Sequence, residues 1–536
     1  MPLPPSFSIS RSRVPLLAVL GALLAVAAPA QTKERFLINE YRVAGARSLP
    51  RADVEAAVYP FLGPDRTERD IESARAALEQ AYADAGYQTV GVAVPPQNVS
   101  RGIIELKVIE RPVGRLRVKD ARYSAPSKIK AQAPALAEGR VINFNAIPAD
   151  IAALNQLPDR RIAPALRPGV APDTVDVDLE VKETNPVHAS VEVNNRQAPS
   201  TEPLRTNASI SVNNLAQSGH SLGFSYQTAP EEPSQVKVFS GYYLARFPHN
   251  EWLNAMLQAT KQDSNVSTLG GAAVAGRGTT IGARLLFNLP AVGNYTQGAT
   301  LGVDYKKFDQ TVNLAASGST PATTVATPIR YFPVTASYNG AWQDDAKKVS
   351  TELSAGLTFH FRGVGSSDTL FNENRYNAGG GFLIFQGELA HTREIGLGFQ
   401  VHGRVHGQLA DQPLLSGEQA AAGGLDTVRG YREGEVVGDS GAFGTLELRS
   451  PSLLAHFAGQ PAEWRLLAFA DAGWVKVIDP LTDQKNHFDL ASWGGGTTFR
   501  LSDHFSASVY ASLPLLKQGE TKADDLRILF QGTLNY

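Results

Sequence analysis

The chain has no cysteine and only two methionines in 536 residues, which excludes a disulfide framework, thiolate catalysis and cysteine-ligated zinc. Charge is sparse, at 19% beside the ~25% usual in soluble domains. The 50 basic and 52 acidic side chains balance, so no broad positive field exists to hold nucleic acid. Beyond the N-terminus no apolar run approaches the ~20 residues that a membrane helix needs, and no Walker A sequence is present for a nucleotide. Glycine, by contrast, is abundant at 48 residues. Few charges, many glycines and no spanning helix point toward strands, a barrel among the options.

The N-terminus reads as a leader. Arg11 and Arg13 precede the apolar run Val14 to Ala28, which ends in Ala28-Pro29-Ala30. Basic, apolar and small residues in that order form a secretory signal peptide over residues 1–30, cleaved before Gln31. Its removal takes away two arginines and moves the net charge from −2 to −4. A secreted, cysteine-free chain of this size fits the periplasm or outer membrane of a Gram-negative bacterium.

Two small α/β modules are predicted next. Phe36–Val43 reads as a strand, followed by a short helix at Arg51–Val58. A second helix opens at Thr67, an N-cap with acids in its first turn. Its apolar face is Ile71, Ala74, Leu78, Ala81 and Tyr82 at helical spacing, and Gly86 ends it. Strands at Thr89–Val94 and Ile103–Ile109 complete the order β-α-α-β-β. The order then repeats: a strand at Gly114–Lys119, helices at Pro126–Ala137 and Ala146–Leu157, and strands at Ile162–Leu166 and Val175–Val181. The last alternates, with Asp176, Asp178 and Glu180 on its wet face.

From about residue 184 helical periodicity gives way to period-2 segments. Ala208, Ile210 and Val212 alternate with Ser209, Ser211 and Asn213; Phe505, Ala507, Val509 and Ala511 alternate with Ser506, Ser508, Tyr510 and Ser512. Sixteen such segments begin near His188, Thr206, Ser221, Val236, Trp252, Thr280, Ala299, Tyr331, Val349, Tyr376, Leu397, Phe443, Trp464, Leu490, Phe505 and Asp525. An even number of half-greasy strands suits a closed antiparallel barrel, which leaves no unpaired edge in lipid. The terminal Phe530, Gly532, Leu534 and Tyr536 share one face, as in the signature that targets barrels for assembly.

Between segments eleven and twelve, at about 410–441, lie some thirty residues without strand character, a length usually reserved for function. They contain Gly423-Gly424-x-x-Thr427-Val428-Arg429-Gly430-Tyr431, then Gly438-Asp439-x-Gly441, with Glu447-Leu448-Arg449-x-Pro451 on the next strand. Segment thirteen carries Phe469-Ala470-Asp471-Ala472-Gly473. There Trp464, Leu466, Ala468, Ala470, Ala472 and Trp474 share the face suited to lipid, while Arg465, Leu467, Phe469, Asp471 and Gly473 face the lumen. An arginine on an inserted loop can form a two-pronged pair with that carboxylate, which lysine reproduces poorly. Gly430 permits a tight bend and Tyr431 offers a large surface with a polar tip.

These motifs resemble a known family. Tyr82-x-x-x-Gly86-Tyr87, the Pro95-Pro96-Gln97 turn and Gly102-x-x-x-Leu106-x-Val108-Ile109-Glu110 resemble a polypeptide-transport-associated (POTRA) domain. The VRGY element and the F-x-D-x-G segment resemble those of the Omp85 superfamily, and in this order they resemble its TpsB class, the two-partner secretion transporters. The resemblance implies a signal peptide (1–30), POTRA 1 (36–111), POTRA 2 (112–183) and a 16-stranded transmembrane β-barrel (184–536). It further implies transport of an unfolded, TpsA-like secreted client docked by strand addition on a POTRA sheet edge or groove, without nucleotide, metal or cofactor. Val428, Arg429, Gly430 and Tyr431 would form the lumen element, contacting Phe469, Asp471 and Gly473. Outer-membrane lipid and the barrel assembly machinery are the other implied partners. An outer-membrane insertase of the same superfamily, working through a lateral seam, is the alternative. A passive porin would need no POTRA modules, and an enzyme is disfavoured: His402 and His406 lie on a predicted strand, where H-x-x-x-H spacing merely shares a face.

Many relatives carry a pore-plugging helix before POTRA 1, whereas here only Gln31–Arg35 separates the expected cleavage site from the first strand. A leakier resting channel is therefore expected in planar bilayers, and a silent channel would contradict it.

Overall fold

The structure, a computed structural model, describes residues 35–247, 250, 252–267, 274–314, 323–482 and 484–536; the expected leader lies outside them. The chain divides into two compact units. One runs to Arg111 and includes Val141–Phe144; the other comprises Pro112–Arg140 and Asn145–Tyr536.

The first unit contains β1 (Phe36–Ile38), β2 (Glu40–Ala44), α1 (Arg51–Val58), β3 (Gly63–Arg66), α2 (Glu68–Asp84), β4 (Gly91–Ala93) and β5 (Ile103–Ile109). The single strand expected over 36–43 is split at Asn39, whose amide donates to the Gly102 carbonyl; β1 then pairs with β3, and β2 joins the sheet β2-β5-β4. The Thr67 amide donates to the Asp70 carboxylate at 2.8 Å, capping α2. Ile71, Ala74, Leu78 and Tyr82 are buried as their spacing requires. Gly86, at φ 94°, ends the helix.

In the second unit, β6 (Val113–Lys119), α3 (Pro126–Ala131), α4 (Ile147–Leu154), β7 (Arg160–Pro168) and β8 (Val175–Glu183) repeat the pattern around a sheet ordered β6-β8-β7. Asp176 and Asp178 depart from expectation: neither is wet. The strand β8 is central, and Arg117 and Lys119 on one side with Arg167 on the other reach over Asp178 at 2.6–3.0 Å.

Both modules use one clasp. Glu110, just after β5, accepts hydrogen bonds from the Arg47 and Ser48 amides, the Ser48 hydroxyl and the Tyr82 hydroxyl. Glu183, at the end of β8, accepts from the amides of Arg122, Tyr123 and Ser124. In each case a carboxylate on the last strand gathers the backbone donors of the turn that follows an earlier strand of the sheet.

The remaining strands are β9 (Val187–Asn194), β10 (Arg205–Leu215), β11 (His220–Thr228), β12 (Val236–Arg246), β13 (Leu253–Ser267), β14 (Val274–Val292), β15 (Tyr295–Leu314), β16 (Thr323–Tyr331), β17 (Val334–Asp344), β18 (Val349–Phe359), β19 (Leu383–Gly396), β20 (Phe399–Ala410), β21 (Ala420–Ala422), β22 (Val436–Gly438), β23 (Ser440–Arg449), β24 (His456–Phe457), β25 (Gln460–Lys476), β26 (His487–Leu501), β27 (Phe505–Pro514) and β28 (Arg527–Asn535). All but β21 and β22, which pair with one another, form a closed antiparallel barrel of 16 strands, with β24 extending β23 along β25. Here β16 and β17 are one strand bent at Phe332-Pro333, both pairing with β15, since proline cannot donate to the ladder. Closure comes from β28 against β9. The segment expected from Tyr376 begins later, at Leu383. Helix α5 (Asp368–Asn374) intervenes, and Phe371, Ala378 and Phe382 pack on Tyr331 above the strands.

Side chains sort by parity. Ile210, Phe224, Leu257, Ile281, Leu446, Leu466 and Leu534 point outward and are exposed, as a lipid-facing band requires. The opposite face is lined with small polar residues such as Ser209, Ser225, Thr260, Asn339 and Ser508.

Burial alone would raise the Glu110 carboxyl, but the donors of Ser48, Arg47 and Tyr82 outweigh it and hold it below its ordinary 4.5. A depressed carboxylate stabilises the fold above its unfolded pKa and loses that contribution as pH falls through the folded value. Glu110→Gln should therefore destabilise the first module by about 1–3 kcal/mol at neutral pH. Pulse proteolysis in urea should show the gap from the natural chain closing once the pH drops below 4.5.

Candidate functional site

The segment between β20 and β23 folds back into the barrel. It is not without strands: β21 and β22 pair as a small hairpin, Ala420 opposite Gly438 and Ala422 opposite Val436, and the VRGY element sits between them. Val428 and Tyr431 are fully buried with Ala422, Val436, Phe443, Val475 and Leu490. Gly430 has φ 97°, and a Cβ there would lie 3.3 Å from the Pro514 nitrogen. The Tyr431 hydroxyl donates to the Leu516 carbonyl at 2.8 Å.

Arg429 meets the inner wall at β23 and β25. Its Nε donates to Asp471 Oδ2 at 2.7 Å and Nη2 to Oδ1 at 2.8 Å, while its amide reaches Oδ2 at 3.1 Å. This is the two-pronged pair expected of residues 429 and 471. A second carboxylate, Glu447, takes Nη1 at 2.6 Å and passes its other oxygen to Arg449. Two cations and two anions thus balance, with Arg429 and Asp471 each only 3% exposed. The guanidinium carbon lies 3.6 Å from the Phe469 ring centroid and 5.3 Å from that of Tyr510, a cation–π platform strengthened by desolvation. Glycines make the room. A Cβ at Gly494 would stand 2.7 Å from the Phe469 ring, and one at Gly473 would stand 2.4 Å from Phe443.

Sequence reasoning brought Arg429 and Asp471 together but missed Glu447 as the second acceptor and Tyr510 as the second ring. Glu447 pairs in register with Phe469, so its parity follows from that of the F-x-D-x-G segment once the register is known. Other loop anchors were also missed. Glu418 accepts from Lys306 Nζ at 2.6 Å and the Tyr331 hydroxyl at 2.8 Å. Asp439 accepts from the Leu414 amide at 2.8 Å and the Ile478 amide at 2.6 Å. His402 and His406 line the wall: His402 bonds Thr392, and His406 lies over the Phe443 ring. Among the described residues no group of His, Cys, Asp and Glu is placed to hold a metal. Toward the turns joining β23 to β25 and β26 to β27, the lumen keeps a polar space of about 410 Å³ bordered by Glu447, Arg449, Glu463, Arg465 and Arg500.

Removing Arg429 strands the buried Asp471 and leaves Glu447 with Arg449 alone, and breaking such a pair costs about 3–5 kcal/mol. Arg429→Ala should therefore expose only the tip of the loop, residues 427–431, to protease added to folded barrels, and Arg429→Lys should rescue little, because an ammonium cannot span both oxygens of Asp471.

Residues 36–111 match the family "POTRA domain, ShlB-type" and residues 334–499 match "Haemolysin secretion/activation protein ShlB/FhaC/HecB". The outer membrane transporter CdiB of Dickeya dadantii is 21% identical over 86% of this chain and 79% of its own length. The heme/hemopexin transporter protein HuxB of Haemophilus influenzae is 20% identical over 85% of this chain and 79% of its own. The solved structure of CdiB from Escherichia coli superposes with a TM-score of 0.62 at 18% identity, covering 96% of this chain and 93% of that one, a likeness of fold. The chain is thus similar to the TpsB family of outer-membrane transporters, with a ShlB-type POTRA domain at residues 36–111 ahead of a closed barrel.

Proposed function

We propose that this transporter docks an unfolded, TpsA-class exoprotein in the periplasm and passes it through the barrel lumen to the cell surface, without hydrolysing a nucleotide. Residues 112–183 serve as a second POTRA domain, supported by the shared strand order and the matching Glu110 and Glu183 clasps. The client adds as a strand beside β2, which pairs only with β5 among the described strands and so leaves one row of backbone groups open. Folding of the client outside supplies direction. Lipid surrounds the outward apolar band, and the barrel assembly machinery inserts the protein.

The observation that carries this proposal is the lumen itself. Its wall is polar, and what fills it is a loop held by side-chain pairs and one small apolar cluster, with no covalent closure. VRGY is the fixed tip of that loop; for passage the pairs of Arg429 with Asp471 and Glu447 must open, and Phe469 and Gly473 shape the seat to which it returns. One feature favours the rival insertase. The seam of β28 with β9 has five register pairs, Gln531 with Asn194 to Asn535 with Ser190, against eight on either flank.

Because the chain has no cysteine, the two routes separate cleanly. Val193 and Gly532 are register partners across the seam. Val193→Cys with Gly532→Cys, oxidised to a disulfide, should leave client export equal to that of the reduced form. Export that stops on oxidation and returns on reduction would move the route to the seam.

A further inference from the structure

The lumen loop is held at a second point, besides Arg429, by the residues that leave the first barrel strand. Arg196 follows β9 by two positions. Its Nε donates to Glu433 Oε1 at 2.7 Å, and its Nη2 donates to the Asp426 carboxylate. The side chains are withdrawn from water: Arg196 is 10% and Glu433 6% exposed. Glu433 also ties the two arms of the loop to one another, accepting from the Leu425 amide at 3.2 Å, while its own amide donates to the Gln197 carbonyl at 3.0 Å. Gly424 is required here, since it sits at φ 103° and a Cβ would fall 2.2 Å from Glu433 Oε2.

The residue beside Arg196 does something different. Asn195 extends the closing seam with its side chain: Nδ2 donates to the Ile528 carbonyl at 2.8 Å, and Oδ1 accepts from the Phe530 amide at 2.8 Å. Its backbone amide donates to the Phe530 carbonyl at 3.3 Å. Asn194, the last residue of β9 and the partner of Gln531, accepts the Arg196 amide on its side-chain oxygen at 2.9 Å. Four consecutive residues therefore alternate between two tasks. Asn194 and Asn195 stitch the seam; Arg196 and Gln197 clasp the loop.

We infer that Arg196 is a positioning residue, a second latch that holds the lumen loop and couples its docking to the upper rungs of the β9–β28 seam. The Arg429 latch acts on β23 and β25, with the Tyr510 ring of β27 beside it, and its hydrogen bonds go to Asp471 and Glu447 and not to β9 or β28. Docking at Arg196 pins residues 194–197, and so keeps Asn195 in register with Phe530. Undocking frees them, because the buried Glu433 loses its cation and the arms of the loop lose their common acceptor. This role in opening rests on the lumen reading above, whereas its effect on the seam does not.

The test uses the full-length protein, checked for a folded barrel by heat-modifiable migration. Four variants are compared: Arg196→Ala, Arg196→Lys, Arg429→Ala, and Asp426→Asn with Glu433→Gln, which removes the acceptors without touching β9. Hydrogen exchange of the peptide containing Phe530 decides the latch. Exchange should quicken at least about tenfold in Arg196→Ala and in the acceptor variant, and less in Arg196→Lys, which keeps one charge. It should stay unchanged in Arg429→Ala. Unchanged exchange in both Arg196→Ala and the acceptor variant would overturn the latch, as would an equal rise in Arg429→Ala. Single-channel recording in planar bilayers decides the lumen reading separately: both arginine variants should open more often, and if neither does while seam exchange still rises in Arg196→Ala, the latch stands and the lumen route falls.

Discussion

A single buried guanidinium organises the inside of this barrel. Arg429 can sit in the lumen because Asp471 and Glu447 neutralise it, Arg449 neutralises the surplus, and the rings of Phe469 and Tyr510 cover what the carboxylates leave. Isolated, each of these charges would be too costly to bury; as a set they fix one position for a loop that has little regular structure of its own. The glycines of the surrounding strands follow from that requirement. Gly494 and Gly473 are empty so that Phe469 and Phe443 can turn inward, and Gly430 bends where a side chain would press on Pro514. The family motif is thus a packing solution, with its arginine at the centre and its glycines as clearances.

Much of this was legible because strand periodicity is so regular. Once alternate residues from Trp464 to Trp474 face lipid, Asp471 must face the lumen, and the long loop containing Arg429 offers it a matching charge. Glu447 was harder, since its side of the wall depends on how β23 registers against β25, which no single strand reveals. Arg196, Asp426 and Glu433 were beyond reach: they lie in non-periodic segments more than two hundred residues apart, and only closure of the cylinder brings them together. Asp178 misled for a different reason. Alternation placed it on a wet face, but neighbours on both sides supply Arg117, Lys119 and Arg167, whose aliphatic stems cover it. Tyr376 misled too: it is exposed between Phe371 and Ala378, which pack in the cluster around Tyr331, and the strand starts only at Leu383.

The two α/β modules share a strand order and one clasp while differing elsewhere. Their helices differ in length and capping; α2 has 17 residues and α4 only 8. Yet Glu110 and Glu183 occupy equivalent ends of equivalent strands and gather the same kind of backbone donors. A bundle of unpaired amides at a turn must be satisfied somewhere, and one carboxylate does it in both places.

The lining of serine, threonine, asparagine and glycine has a consequence for anything that moves along it. Hydroxyls and amides offer a peptide group hydrogen bonds of about the quality that water offers, no better and no worse. Where these residues line the wall there are no sticky stations and no repulsive ones, so sliding there meets low friction whatever the order of residues in a thread. Sequence preference is then left to the charged ring of Glu447, Arg449, Glu463, Arg465 and Arg500 or to a point before the tube.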